Sequence, residues 1–243
     1  DPELAISKLL AYRDLIATEK TDSTVKMAVD IIKNNYKNPE NNYSSSKVLI
    51  FTNFRESGDL LLKKSIEELS KLNPDWKAYS FLSATPKKEL EMVKSRMEDP
   101  NSKILVMSMK MGGTGISFPN TFKTMIVNDY DWTPEAVEQS EGRIYRINTN
   151  QNVNIIYNIN DGLDSDIFDK VEKKKELAKI IQKYRKIFQD EKTSTKDSES
   201  LKKIVDAQKQ MADLEKQEMD LVSKHTPTIN ESFKRYLKRL YLI

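Results

Sequence analysis

The chain has 243 residues, a net charge of +3 and only six glycines, where the usual frequency would give about 17. There is no cysteine and one histidine, His225, so disulfide scaffolds, zinc fingers, thiol catalysis and multi-histidine metal sites are excluded. The charge is nearly balanced, so any contact with nucleic acid must come from a local patch rather than from bulk charge.

The chain begins Asp1-Pro2 rather than with Met and shows no signal or transit pattern, which predicts an intracellular piece of a longer protein. No apolar run approaches the ~18 residues of a membrane span. Nucleus, cytoplasm and a virus-infected host cell are not separated by these features.

Residues 1–19 read as one amphipathic helix and Lys37–Ser46 as a polar loop. The runs Lys47–Asn53, Lys103–Met109, Lys123–Asp129 and Asn152–Asn158 are short and β-branched, as buried parallel strands are. Trp76–Leu82 is a weaker fifth. Between them, Asp59–Leu72 places Leu62, Ile66, Leu69 and Leu72 on one predicted helical face. Pro86–Met97 and Pro134–Ile147 each open with Thr-Pro, a helix-start signal. Strand–helix alternation from about residue 22 to 160 predicts an α/β fold with an open, mostly parallel sheet, and ligands at the carboxyl ends of its strands.

After the sheet region, Asp164–Phe188 reads as a long lysine-rich helix and Gln189–Ser200 as a linker. Leu201–Val222 reads as a second helix with a thin stripe of Leu201, Ile204, Val205, Met211, Leu214 and Leu221, suited to pairing with the preceding helix or with a partner. The end, Phe233–Ile243, mixes aromatics with Lys234, Arg235, Lys238 and Arg239.

Two segments carry chemistry. Lys110-Met-Gly-Gly-Thr-Gly-Ile116 follows a buried strand directly, and its glycines allow either a phosphate cradle or a plain tight turn. It is neither a Walker A loop nor a Rossmann fingerprint. In the second segment, Gln139, Arg143 and Arg146 stand at i, i+4 and i+7. On the predicted helix they share one face and suit an anion with several oxygens, or form a solvated face bonded to Glu138 and Glu141. Trp132 reads as a packed core tryptophan beside Pro134, with stacking as the other reading, and His225 as surface or incidental.

The order of these segments resembles the second ATPase lobe of Swi/Snf-type DNA translocases in helicase superfamily two. Val48-Leu-Ile-Phe-Thr-Asn-Phe54 resembles motif IV, and Leu82-Ser-Ala-Thr-Pro86 the segment that reaches the DNA backbone. Ser108–Ser117 resembles motif V, Asp131-Trp-Thr-Pro134 the family's acidic-Trp-Asn-Pro stretch, and Gln139–Ile147 motif VI. Asp161–Leu177 resembles the helix after the last strand. The departures are Asn148-Thr149 where Gly-Gln is usual, Gly142 where Asp is common, Ser117 where Asn is usual, and no arginine around Glu89–Glu91 where the helix after motif IV's partner segment often has one.

The resemblance implies a RecA-like lobe over 22–162, an N-terminal helix and inter-lobe segment over 1–21, a post-lobe helix over 163–188, a linker over 189–200 and a helical tail over 201–243. It implies an ATP site shared between two lobes, with the phosphate loop and Mg-binding acidic pair on a first lobe that this sequence lacks, so that the chain alone is inactive. Arg143 and Arg146 would be arginine fingers, worth roughly 10³–10⁵ in rate in well-studied phosphoryl-transfer systems, and Gln139 would orient water or bridge the lobes. Gly113 and Gly115 would face the nucleotide. Thr52, Ser83, Thr85, Lys110 and Thr114 suit contacts to the phosphate backbone of double-stranded DNA that are blind to sequence. The implied partners are that DNA, the first lobe of the same protein, and a protein partner on the tail helices. Two other readings remain open: a strand-separating helicase on DNA or RNA, supported by Gly142, and a catalytically inactive interaction module.

Overall fold

The computed structural model describes residues 2–37, 46–82, 86–109, 118, 120–145, 152–190, 199, 201–214, 216–217 and 221. The chain divides into two units, one of residues 13–159 and one of residues 1–12 with 160–243.

The first unit holds a five-stranded parallel sheet: β1 (Val48–Thr52), β2 (Lys77–Phe81), β3 (Ser102–Ser108), β4 (Thr124–Val127) and β5 (Asn154–Tyr157). Their spatial order is β2-β3-β1-β4-β5, and every pairing is parallel. All five predicted strands are present, each within two residues of its predicted bounds. Every residue of β1, β3 and β4 is buried, which is why these runs are continuously apolar rather than alternating.

Helices α1 (Pro2–Glu19) and α2 (Thr21–Tyr36) precede the sheet. In α2, which lies between the predicted N-terminal helix and the predicted polar loop, Val25, Ala28, Val29 and Ile32 recur at i, i+3, i+4 and i+7. They pack with Leu61 and Leu69 of α3 (Arg55–Leu72) on Val48, Ile50, Ala78, Ile104, Val106 and Ile126. Each fully buried side chain of this size stabilises the fold by about 1.5–3 kcal/mol.

The buried face of α3 is rotated from the predicted one and keeps only part of it. Leu69 is buried as predicted and Leu62 packs at the margin of the core, but Ile66 and Leu72 are 49 % and 40 % exposed, and the helix also buries Ser57, Gly58, Leu61 and Ser65. Small residues let it approach closely: a Cβ on Gly58 would lie 2.8 Å from a methyl of buried Leu82 and 3.3 Å from Thr52. The predicted helix at Pro86 opens as a 3-10 turn over Lys87–Glu89 and becomes α4 over Leu90–Glu98. Lys47, fully buried beneath β1, donates its ammonium to the Met97 and Asp99 carbonyls at the end of α4. Burial, and then neighbouring Lys103, push its pKa down to about 7.

The predicted helix Pro134–Ile147 is shorter. α5 covers Pro134–Glu141, and Gly142 is its C-cap. Beyond it the ladder tightens to Arg143 N–H on the Ser140 carbonyl at 3.1 Å and Ile144 N–H on that of Glu141 at 3.3 Å. Glycine is the poorest helix former after proline, and the Arg143 carbonyl leaves the ladder to accept the Phe118 N–H at 3.0 Å.

In the second unit, Gly162 at φ +91° supplies the left-handed turn before α6 (Leu163–Asp190). Helical residues 201–214, here α7, run antiparallel to α6. Lys170 donates to Gln217 at 3.2 Å near one end, and Lys203 lies 5.6 Å from the Tyr184 ring near the other. Between them Leu177 and Ile181 pack on Ala207 and Leu214, with Met211 at the margin. The second helix therefore pairs with the preceding one. Leu201 and Val205 of the predicted stripe lie outside this seam, 41 % and 59 % exposed.

Candidate nucleotide and nucleic-acid cleft

In the order β2-β3-β1-β4-β5, the chain leaves β1 toward β2 and, after β3, crosses to β4 on the other side of β1. The crevice between the carboxyl ends of β1 and β4 is thus the topological switch point, where open α/β sheets bind ligands.

The two strand ends meet there in a buried carboxylate. Asp129 accepts the Thr52 hydroxyl at 2.5 Å, the Asn53 backbone N–H at 2.7 Å and the Asn128 amide at 3.3 Å. Burial pushes the Asp129 carboxyl up from its ordinary value, against the pull of these donors. Thr52 also shares a 2.6 Å hydrogen bond with Ser57 and is fully buried. Beside them the Asn53 side-chain amide and the Ser108 hydroxyl, both buried, have no hydrogen-bond partner among the described residues. Ser108 is the register partner of Thr52, so the orphaned groups sit on adjoining strand ends. Buried polar atoms left this way call for a water or a ligand atom.

The segment joining α1 to α2 runs over the ends of β4 and β5. Asn128 donates to the Ala17 carbonyl at 2.9 Å and accepts the Thr24 hydroxyl at 2.6 Å. Lys20 donates to the Asn158 carbonyl at 2.8 Å, and the Asn158 amide donates to Thr24 at 2.7 Å. Arg13, 6 % exposed, donates to the Tyr130 carbonyl at 2.5 Å and lies 5.5 Å from the Phe54 ring and 5.4 Å from the Trp132 ring. Asp14 follows it. Burial first, then Glu56 and Asp129, push the Asp14 carboxyl up to about 6, and its Oδ1 has no partner among the described residues.

Thr52 stands at the crevice, but its hydroxyl is spent inside the protein. Gln139 is exposed on α5, whereas Arg143 is 7 % exposed in the turn after it. The two do not share a helical face, because the helix ends between them. The turn is tied to the sheet by Tyr157, whose hydroxyl donates to Glu141 at 2.6 Å. Trp132 is half-buried under the Arg13 guanidinium rather than a core residue. Ser83, Thr85, Lys110, Gly113, Thr114, Gly115, Arg146 and His225 lie outside the described residues. Among the described residues no group of three acidic, histidine or cysteine side chains could hold a metal ion, and no helix is long and apolar enough to cross a membrane.

Asp129, Asn128, Arg13 and Lys20 were not singled out from the sequence. Asn128-Asp129 carries a signal that could have found it: a polar pair ending an apolar strand. Arg13 carries none, since its partner carbonyl is 117 residues away.

Residues 25–148 match the helicase conserved C-terminal domain. The chain is 26 % identical over 141 residues to the DNA repair protein RAD5 of Candida albicans, covering 56 % of this chain and 13 % of that protein. It is 28 % identical over 140 residues to the ATP-dependent helicase ULS1 of Saccharomyces cerevisiae, covering 56 % and 8 %. Among solved structures, the C-terminal part of the Fun30 ATPase domain is similar with a TM-score of 0.51 and 26 % identity, over 62 % of this chain and 44 % of that one.

Proposed function

Because this chain belongs to the helicase C-terminal domain family, as the second lobe of a Swi/Snf-type superfamily-two ATPase, we propose that it is the C-terminal half of an ATP-driven motor that translocates on double-stranded DNA. The observation that supports the reading is the switch-point crevice: two strand ends braced by Thr52 and Asp129, with buried polar groups on Asn53 and Ser108 that have no partner among the described residues.

Gln139 and the two arginines, Arg143 and Arg146, are the groups this lobe would bring to ATP. Positive charge placed where the transferred phosphoryl group accumulates negative charge lowers the barrier only when both lobes close on the nucleotide. Bound ATP with Mg supplies the phosphoryl chemistry, and the metal would be held mainly by the first lobe. Ser83, Thr85, Lys110 and Thr114 are proposed to touch the DNA backbone. Thr52 leaves that set, because its hydroxyl is occupied by Asp129 and Ser57. The first lobe of the same protein is the proposed partner of the cleft.

The test is to measure ATP hydrolysis with and without double-stranded DNA by this chain alone and by the full-length protein. Turnover only in the full-length protein is expected. DNA-stimulated turnover by the chain alone contradicts the half-site reading. Strand displacement by the full-length protein would favour the strand-separating alternative.

A further inference from the structure

The motor reading gives Arg13 no role, yet it is among the most buried charged residues described. Its guanidinium touches both loops that flank the switch point: Phe54, just after β1, and the Tyr130–Trp132 stretch, just after β4. A planar guanidinium can donate in its plane and present its faces to aromatic rings at once, which an ammonium does less well. The Trp132 stretch leads straight into α5, whose first turn begins at Pro134. Thr133 is fixed there by Asp131, which accepts both its N–H at 3.0 Å and its hydroxyl at 2.9 Å.

We propose that Arg13 is a positioning residue for ATP hydrolysis: it locks the loops after β1 and β4 into one body and so sets where α5 and the Arg143 turn stand. This rests on the motor reading above. Arg13 touches no reacting atom; it acts through the Trp132 stretch. Misplacing catalytic groups by about 1 Å can cost roughly a hundredfold in rate, so a residue remote from the chemistry can still control turnover.

The chain has two tryptophans, Trp76 and Trp132, and fluorotryptophan labelling gives each its own fluorine NMR signal, assigned with Trp132→Phe. Arg13→Ala should shift the Trp132 signal and leave that of Trp76, which packs at the other end of the sheet beside Tyr36, in place. In the full-length protein the same change should lower DNA-stimulated kcat by roughly ten- to a hundredfold with the KM for ATP within about twofold. If Arg13→Ala does not fold, Arg13→Gln keeps a donor for the Tyr130 carbonyl and loses the charge; the same signal shift and a smaller fall in kcat are expected. An unmoved Trp132 signal, or equal shifts of both signals, overturns the clamp. Unchanged kcat in the Arg13 variants while Arg146→Ala abolishes stimulation overturns the positioning role and leaves the motor reading standing. Wild-type turnover in Arg146→Ala removes the motor reading and this proposal with it.

Discussion

Thr52 donates its hydroxyl to Asp129 across 2.5 Å, joining the carboxyl ends of two neighbouring parallel strands beneath the crevice. The pair is inside the protein, so its first effect is on stability. Thr52→Val keeps the shape and deletes the donor, leaving a buried carboxyl short of one bond. The unfolding free energy should fall by about 1–3 kcal/mol, and a double-mutant cycle with Asp129→Asn should show coupling between the two positions. Urea unfolding measures both. A Thr52→Val protein as stable as the parent would mean that the hydroxyl faces outward after all.

Asp14 gives a pH signature. Its carboxyl ordinarily titrates at 3.8 and here at about 6, because burial and the neighbouring Glu56 and Asp129 disfavour its charge. Between those values the native state holds a proton that the unfolded chain has lost, so stability falls as pH rises through that window. Asp14→Asn should therefore raise stability near pH 7.5, by about 1 kcal/mol once partial exposure is allowed for, and do little below about pH 4. Denaturation at the two pH values is the check, and an equal effect at both would contradict it.

Gly58 tests how closely α3 approaches the sheet. Gly58→Ala places a methyl 2.8 Å from the Leu82 side chain. The expected cost is about 1–3 kcal/mol, as for other overpacked cores, although alanine is the better helix former by up to ~1 kcal/mol. A stabilised Gly58→Ala protein in thermal unfolding would show that Leu82 gives way freely.

The hairpin of α6 and α7 depends on its seam. Leu214, 6 % exposed, packs with Leu177, Ile181 and Ala207. Leu214→Ala should destabilise the hairpin by about 2–5 kcal/mol, read as earlier loss of amide protection over 201–214 than over the sheet in hydrogen exchange. Unchanged protection there would contradict the pairing.

The strands were legible because burial on both faces writes a continuous apolar run, and KVLIFTN and KILVMSM admit few other readings. The face of α3 was not, because a helix packed closely through Ser57, Gly58 and Ser65 shows its core side as polar and small. The end of α5 was signalled by Gly142, but the spacing of Gln139, Arg143 and Arg146 suggested a helix running through it. Within the candidate site, motif order pointed to the carboxyl ends of the strands. It also assigned Thr52 outward, since a hydroxyl at a strand end reads the same whether it meets DNA or a carboxylate 77 residues away. The Arg13 contact links residues distant in sequence and has no local pattern to read.

The central claim is that this lobe completes an ATP site with its arginines. Arg146→Ala tests it more cleanly than Arg143→Ala, because Arg143 is buried and its loss would also disturb packing. The decisive measurement is ATP hydrolysis by full-length Arg146→Ala protein over a titration of double-stranded DNA, with DNA affinity measured in parallel. Loss of DNA-stimulated hydrolysis is expected, by a factor on the order of 10³ or more, with DNA affinity largely kept. Turnover equal to that of the parent protein would contradict it.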